Sequence, residues 1–398
     1  MSQKDGKVIA FLISYGDRLI RHWDDDMGLN TLDKVDRMFR QWAESGVDRI
    51  QWRVMTHGSP TRYYHLYGHY ADYVQLAADA AVNFGDWWNY EEECELRWPV
   101  ECAHKYGMEI YARTDPFNLG APVGAREETT EPPFPLHLPN GATYLLNDYG
   151  YYSRFCADHP EYEVVDRTRK HRHYGILELA YPEARKYLLD SFVEPYVKHY
   201  DIDGFCMDTR TECMTPLWAD RFGFNEPIVE EYKRRYGVNI LESDFDLEAW
   251  RSLRGEYLTQ FIREVRELAG RCDKKLTVLT QRGDHLGFPI SNMVIDWRTW
   301  VSEGLVDDLG INFHGKCWGQ QPYGFIRSPN TVERDVKEVY GPSVKEHGFG
   351  LFVRDKYFDG ETLLRLAQMP EFGGFVLIPW TSRERIQQLK YAAGNGGA

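Results

Sequence analysis

Short runs of β-branched and aromatic residues alternate along this chain with longer stretches whose apolar positions recur every three or four residues. The first kind has the length of a buried strand and the second the period of an amphipathic helix. Their alternation is the pattern of βα units laid around a parallel sheet. VIAFLISYGD (8–17) reads as a first strand, and TLDKVDRMFRQWAESG (31–46) as its helix, opened by Thr31 and closed by Gly46. VDRIQWRVMTHG (47–58) follows as strand two and MEIYARTDPFN (108–118) as strand three; between them YEEECELRWPVECAHKYG (90–107) is a helix that Pro99 is expected to kink or split. A helix at 182–200 leads into strand four, IDGFCMDTR (202–210), and 226–271 holds two helices before strand five, KLTVLTQRGD (275–284). Strands six, seven and eight are expected at 307–315, 349–358 and 372–382, with helices at 296–304, 331–341, 360–369 and 383–394.

Eight strands in this order predict a closed (β/α)8 barrel, an α/β fold forming a single catalytic domain over residues 1–398. Long insertions in the βα loops are expected at 59–89, 119–180 and 213–271, with 119–180 an irregular segment folded over the active face. No GxGxxG follows a strand and no Walker sequence occurs, which argues against a dinucleotide or nucleotide fold. No stretch approaches the roughly 20 apolar residues of a membrane span.

Composition sharpens this picture. The 12 Trp, 26 Tyr and 20 Phe make 15% of the chain, enough to line a cleft as well as a core. The formal charge of −14 argues against a general nucleic-acid surface while leaving room for a local basic cleft. Seven cysteines without CxxC or metal-ligand spacing read as free thiols in a reducing compartment, so the chain as given is expected to be cytoplasmic, with no metal and no cofactor.

In such a barrel the site forms where the strands end. In IDGFCMD, Gly204, Cys206 and Asp208 share one side of the strand; the small residues suit the narrow interior and Asp208 emerges at the mouth. A carboxylate there can attack an anomeric carbon or stabilise an oxocarbenium ion. The plainer alternative is an Asp that caps the next helix.

Residues 160–208 resemble the glycosyl hydrolase-like 10 group and its α-amylase and α-galactosidase-type barrel relatives. The resemblance rests on Pro160-Glu161-Tyr162, on the helix opening Pro182-Glu183-Ala184-Arg185, and on Tyr200 through Asp203-Gly204 to Asp208. It implies hydrolysis of an O-glycosidic bond in an oligo- or polysaccharide, with Asp208 as nucleophile or principal carboxylate and Asp203 structural, near the base of its strand. Two departures leave the second carboxylate open: LELAYP carries Glu178 where the group has Asp, and strand six ends INFHGK without an acid. Asp284 is the first candidate for the general acid/base and Asp355 the second, followed by Glu212 and Asp115. A separation near ~5 Å from Asp208 would mean retention and ~6.5–9.5 Å inversion.

Arginines recur at the strand ends: Arg53, Arg113, Arg210, Arg282 and Arg354, with His57, His285, His314, Lys316 and Lys356 at the same level. Guanidinium groups suit bidentate binding of carboxylate or sulfate, which points to an anionic sugar. The competing reading pairs them with Asp17, Asp115, Asp284 and Asp355. Tyr15, Trp23, Trp87, Trp88, Trp318, Tyr323, Tyr357 and above all Trp380 are placed to stack on sugar rings, whereas the helical spacing of Trp297 and Trp300 assigns them to the core. A metal-dependent amidohydrolase would need His-x-His where strand one ends in Ser14-Tyr15-Gly16-Asp17. The remaining rivals are a carbohydrate-binding barrel without catalysis and a sugar isomerase or aldolase using Lys356.

Overall fold

Each strand needs only to cross the wall of a barrel, and the strands are correspondingly short. The computed structural model describes residues 7–13, 31–54, 73–76, 96–117, 119, 135–137, 143–145, 151–209, 219–286, 293–312, 331–354, 359–379 and 381–395. Among them, eight parallel strands pair in sequence order: β1 (Val8–Ile13), β2 (Arg49–Arg53), β3 (Glu109–Thr114), β4 (Gly204–Asp208), β5 (Lys275–Gln281), β6 (Asp308–Asn312), β7 (Gly350–Arg354) and β8 (Gly374–Leu377). β8 pairs with β1 and closes the ring, so this is the expected (β/α)8 barrel.

Side-chain alternation splits the core into two parts. Outward residues such as Phe11, Trp52, Ile110, Phe205, Val278 and Leu351 join the helices in one large cluster. Inward residues Ala10, Leu12, Tyr111, Cys206, Leu279, Phe352 and Val376 fill the barrel. The interior is tight enough to dictate Gly204, where a Cβ would stand 2.6 Å from the Tyr111 ring. Below, Arg49 bridges Glu109 and Asp308 at 2.7 Å each and closes the end from which the strands start. Asp203 lies at this end too, accepting from the Ile110 N–H at 2.8 Å.

The helix α1 (Leu32–Ser45) runs as expected, with Thr31 capping its start and Gly46, in the left-handed region at φ 98, ending it. Elsewhere local chemistry changes the expectation. Of the helix expected at 90–107, residues 90–95 lie outside the described residues; in α2 (Arg97–Lys105) Pro99 sits in the first turn, where proline costs no hydrogen bond. The helix expected at 182–200 is two, α3 (Pro182–Phe192) and α4 (Glu194–His199), broken at Val193 because Pro195 follows. α5 (Glu226–Tyr236) and α6 (Leu247–Arg271) are the anticipated pair before β5, and α7 (Trp297–Ser302) buries Trp297 and Trp300. The helix expected to end at Gly341 instead passes through a π-helical turn, Asp335–Tyr340, and stops at Gly348. α8 (Gly360–Ala367) and α9 (Arg383–Asn395) complete the outer layer.

The described part of the 119–180 insertion holds more regular structure than its composition suggests. It contains a hairpin of Pro135–His137 with Thr143–Leu145, a strand Tyr151–Ser153 paired with Tyr73–Leu76, and a second hairpin of Glu163–Val165 with Arg172–Leu177. Among the described residues Cys102, Cys156, Cys206 and Cys272 are free thiols, and no helix is long and apolar enough to cross a membrane.

Candidate active site

The last inward residues of the strands meet at the mouth where the strands end. Tyr111, Cys206 and Phe352 lie in the barrel interior. Two residues further along each strand, Arg113, Asp208 and Arg354 therefore face the same axis one layer higher. Arg53 stands beside Arg113 in the β2–β3 register, and Asp115 follows directly from β3. Beyond Asp208, Thr209 is tied to β5: its N–H and its hydroxyl both donate to the Leu279 carbonyl, at 2.9 and 3.1 Å. That anchor fixes where β4 ends and holds Asp208 at the rim.

These five side chains form one run of ion pairs. Arg53 Nη2 donates to Asp115 Oδ2, and Arg113 Nη2 donates to Asp208 Oδ2 while lying 3.0 Å from Asp115 Oδ1 as an ion pair. Arg354 Nη1 reaches the same Asp208 oxygen at 3.3 Å. Two carboxylates thus share a single guanidinium nitrogen and sit side by side. Arg113 is 0% exposed and Asp115 and Asp208 are each 1% exposed, so bulk water does not screen the pairs. Removing one member would leave a buried charge uncompensated, at a cost of several kcal/mol. Beneath them, burial pushes the Cys206 thiol up, Arg113 opposes that, and Asp208 reinforces it.

The other expected site residues that are described take different partners. Asp284 accepts from Arg298 Nη1 at 2.7 Å and from Trp297 Nε1 at 2.9 Å, which ties it to α7. His285 Nε2 lies 2.6 Å from Glu248 in the first turn of α6. Arg282 continues the outward parity of Leu276 and Val278, and its Nε is 3.4 Å from Asp335, which is 0% exposed. Tyr15, Arg210, Glu212, His314, Trp318, Asp355 and Trp380 lie outside the described residues.

Two buried pairs support the mouth and went unread in the sequence. Asp335 holds Arg282, and Glu178 Oε2 accepts from Arg254 Nε at 3.3 Å with both side chains 2% exposed. A signal existed for each: Asp335 falls between Val332 and Val336 on an apolar helical face, and Arg254 adjoins Trp250, Leu253 and Leu258. An acid or a guanidinium in such a stripe needs a buried counterion. Among the described residues, no three His, Cys, Asp or Glu side chains converge as a metal site.

A family model described as glycosyl hydrolase-like 10 matches residues 153–319, a span that includes residues 160–208. No curated protein matches the chain. Among solved structures, β-galactosidase from the psychrophilic Marinomonas ef1 is similar with a TM-score of 0.53 and 9% identity over 97% of this chain. The match covers 59% of that protein, so this chain spans less than two thirds of its length. The β-amylase catalytic domain from Paenibacillus polymyxa has a TM-score of 0.48 and 10% identity, with 98% of this chain and 95% of that one covered. For the PgaB glycoside hydrolase domain from Bordetella bronchiseptica the values are 0.47, 12%, 98% and 98%. At these identities what the galactosidase shares with this chain is the barrel fold.

Proposed function

We propose that this barrel is a glycoside hydrolase acting on an anionic oligo- or polysaccharide, with Asp208 as its principal carboxylate. The observation that carries the reading is the position of Asp208, at the inward end of β4 and braced on one oxygen by Arg113 and Arg354. Charge-assisted hydrogen bonds from two guanidinium groups hold it as the anion that attack on an anomeric carbon, or stabilisation of an oxocarbenium ion, requires. Arg53, Arg113 and Arg354 gather at this mouth, and guanidinium groups suit bidentate recognition of a carboxylate or sulfate on the substrate.

The proton for the leaving oxygen comes from a second acid. Asp115 is ion-paired with both Arg53 and Arg113, which suits orienting Arg113. Asp284 would first have to leave Arg298. We therefore assign the acid/base role to Asp355, which directly follows Arg354, or to Glu212, four residues beyond Asp208. In the retaining form, the anomeric C–O bond breaks as Asp208 bonds to carbon and the acid protonates the departing oxygen. Water, deprotonated by the same residue, then releases the sugar.

Reducing-end release by the full chain on polygalacturonate, dextran sulfate and neutral dextran tests this. The expected result is a kcat/KM at least about tenfold higher on an acidic polymer. Equal turnover of the neutral polymer would remove the anionic part of the proposal. Binding without any turnover would favour a carbohydrate-binding barrel, a reading supported by β6 ending Ile311-Asn312 without an acid.

A further inference from the structure

The tip of the second hairpin, residues 166–172, reads DRTRKHR and is the most basic short stretch of a chain whose formal charge is −14. Its backbone is fixed from within. The buried Asp166 carboxylate accepts from the Thr168 hydroxyl at 2.9 Å and from the Lys170 and His171 N–H groups at 3.2 and 3.3 Å, and it pairs with His171 Nδ1 at 2.9 Å. It is fixed from outside as well. Asn225, ahead of α5, bonds the Val165 N–H and the Glu163 carbonyl, and Arg167 Nη2 donates to the Ser243 carbonyl at 2.7 Å.

What this frame presents is charge. Arg169 and Lys170 are exposed and Arg172 is half-buried. Among the described residues no carboxylate pairs with any of the three, although Arg234, Arg235, Arg263 and Arg298 on the helices each meet one. Arg169 also sits at φ 58, in the left-handed region, and Asp273 is the only other non-glycine residue described there. A turn of this shape favours Gly or Asn, so an Arg is held against backbone preference.

Aromatic rings adjoin the tip. Burial raises the Tyr181 hydroxyl above the ordinary phenol range, and the nearby Arg169 charge opposes that rise. The Tyr181 and Tyr162 rings are 5.0 Å apart, and Tyr162 stacks on Phe155 at 5.7 Å and on exposed His159 at 5.5 Å. Tyr181 immediately precedes α3, whose start lies at the end of the barrel where the strands finish, the same end as Asp208.

The geometry points to a second carbohydrate subsite at the rim of the active face, in which Arg169, Lys170 and Arg172 hold a carboxylate or sulfate of an acidic glycan while a sugar ring lies against Tyr162 and Tyr181. It rests on the proposed glycan substrate and adds a contact remote from the cleaved bond. Glu161, Glu183 and Glu226 border the rings, so the subsite takes its anion at the tip and a neutral face of the sugar over the tyrosines.

The test measures affinity of the full chain, carrying Asp208→Asn so that polymers stay intact, for polygalacturonate, dextran sulfate, neutral dextran and an oligothymidylate. Arg169→Gly with Lys170→Ala is expected to weaken binding of the preferred acidic polymer about tenfold or more. Arg169→Gly alone should weaken it without lowering the thermal midpoint, since glycine relieves the left-handed position. Tyr162→Ala should weaken the glycan and not the oligonucleotide. Which acidic polymer responds distinguishes carboxylate from sulfate. Unchanged affinity in the tip variants, no binding of either acidic polymer, or an oligonucleotide bound as tightly as the glycans would overturn the subsite. Tip-dependent binding in a protein that hydrolyses none of the polymers would leave the subsite standing and remove the hydrolase reading.

Discussion

Arg113 is the residue on which the mouth of the barrel depends. Its side chain is 0% exposed and one nitrogen serves both Asp115 and Asp208. Replacing it by methionine keeps much of the volume and leaves two adjacent carboxylates facing each other in a site shielded from water. Arg113→Met is expected to lower unfolding free energy by about 3–5 kcal/mol in urea titrations. Asp115→Asn in that background should recover part of the loss, since it removes one of the repelling charges. A single-variant change below ~1 kcal/mol would show that the pairs contribute little. Cys206 gives a second residue-level expectation. It is 0% exposed and its thiol is pushed up by burial, so iodoacetamide at pH 8 should label it only after denaturation. Labelling in the folded protein would contradict the filled interior.

At the level of elements, the barrel is limited by space inside the ring. Because a Cβ on Gly204 would meet the Tyr111 ring at 2.6 Å, Gly204→Ala should cost about 1–3 kcal/mol and lower the thermal midpoint. Tyr111→Leu should relieve part of that penalty in the double variant, and a neutral Gly204→Ala would mean that the ring moves freely. Much of this architecture was legible in the sequence, since apolar runs of strand length and capped helices such as α1 are local signals. The misses have local causes also. Pro195 ends α3 through a clash with a carbonyl four residues back, and Gly341 stays helical at φ −55 because the π-helical turn before it carries the chain on. Alternation points Asp208 to the mouth, and the recurrence of arginines at the strand ends points Arg113 and Arg354 to the same level. Neither signal gave the partners of Asp284, Arg282 and His285: Arg282 keeps the outward parity of its strand, and Arg298, Asp335 and Glu248 decide what each residue meets.

For the whole molecule, several carboxylates are held by cationic or hydrogen-bonding neighbours, Glu109 across the barrel and Asp166 and Glu231 within their own segments. Burial works to raise Glu109 and Asp166, but Arg49 and Lys275 around the first and His171 and Thr168 around the second leave both below their ordinary values. Glu231 is held at about 2 by Arg234 and Arg235. A depressed carboxylate stabilises the fold fully above its unfolded pKa of roughly 4, and that contribution is lost as pH falls through the folded value. The thermal midpoint should therefore be steady between about pH 5 and 7 and fall steeply below about pH 4; a midpoint unchanged down to pH 3 would contradict this. The barrel, its filled interior and the charged mouth together make Asp208 the centre of the proposed chemistry. The most direct measurement is kcat of Asp208→Asn on the acidic glycan turned over fastest by the parent, with the thermal midpoint confirming the fold. The account predicts a loss of roughly 1000-fold or more in kcat with KM little changed, whereas a folded variant retaining kcat within about tenfold of the parent would contradict it.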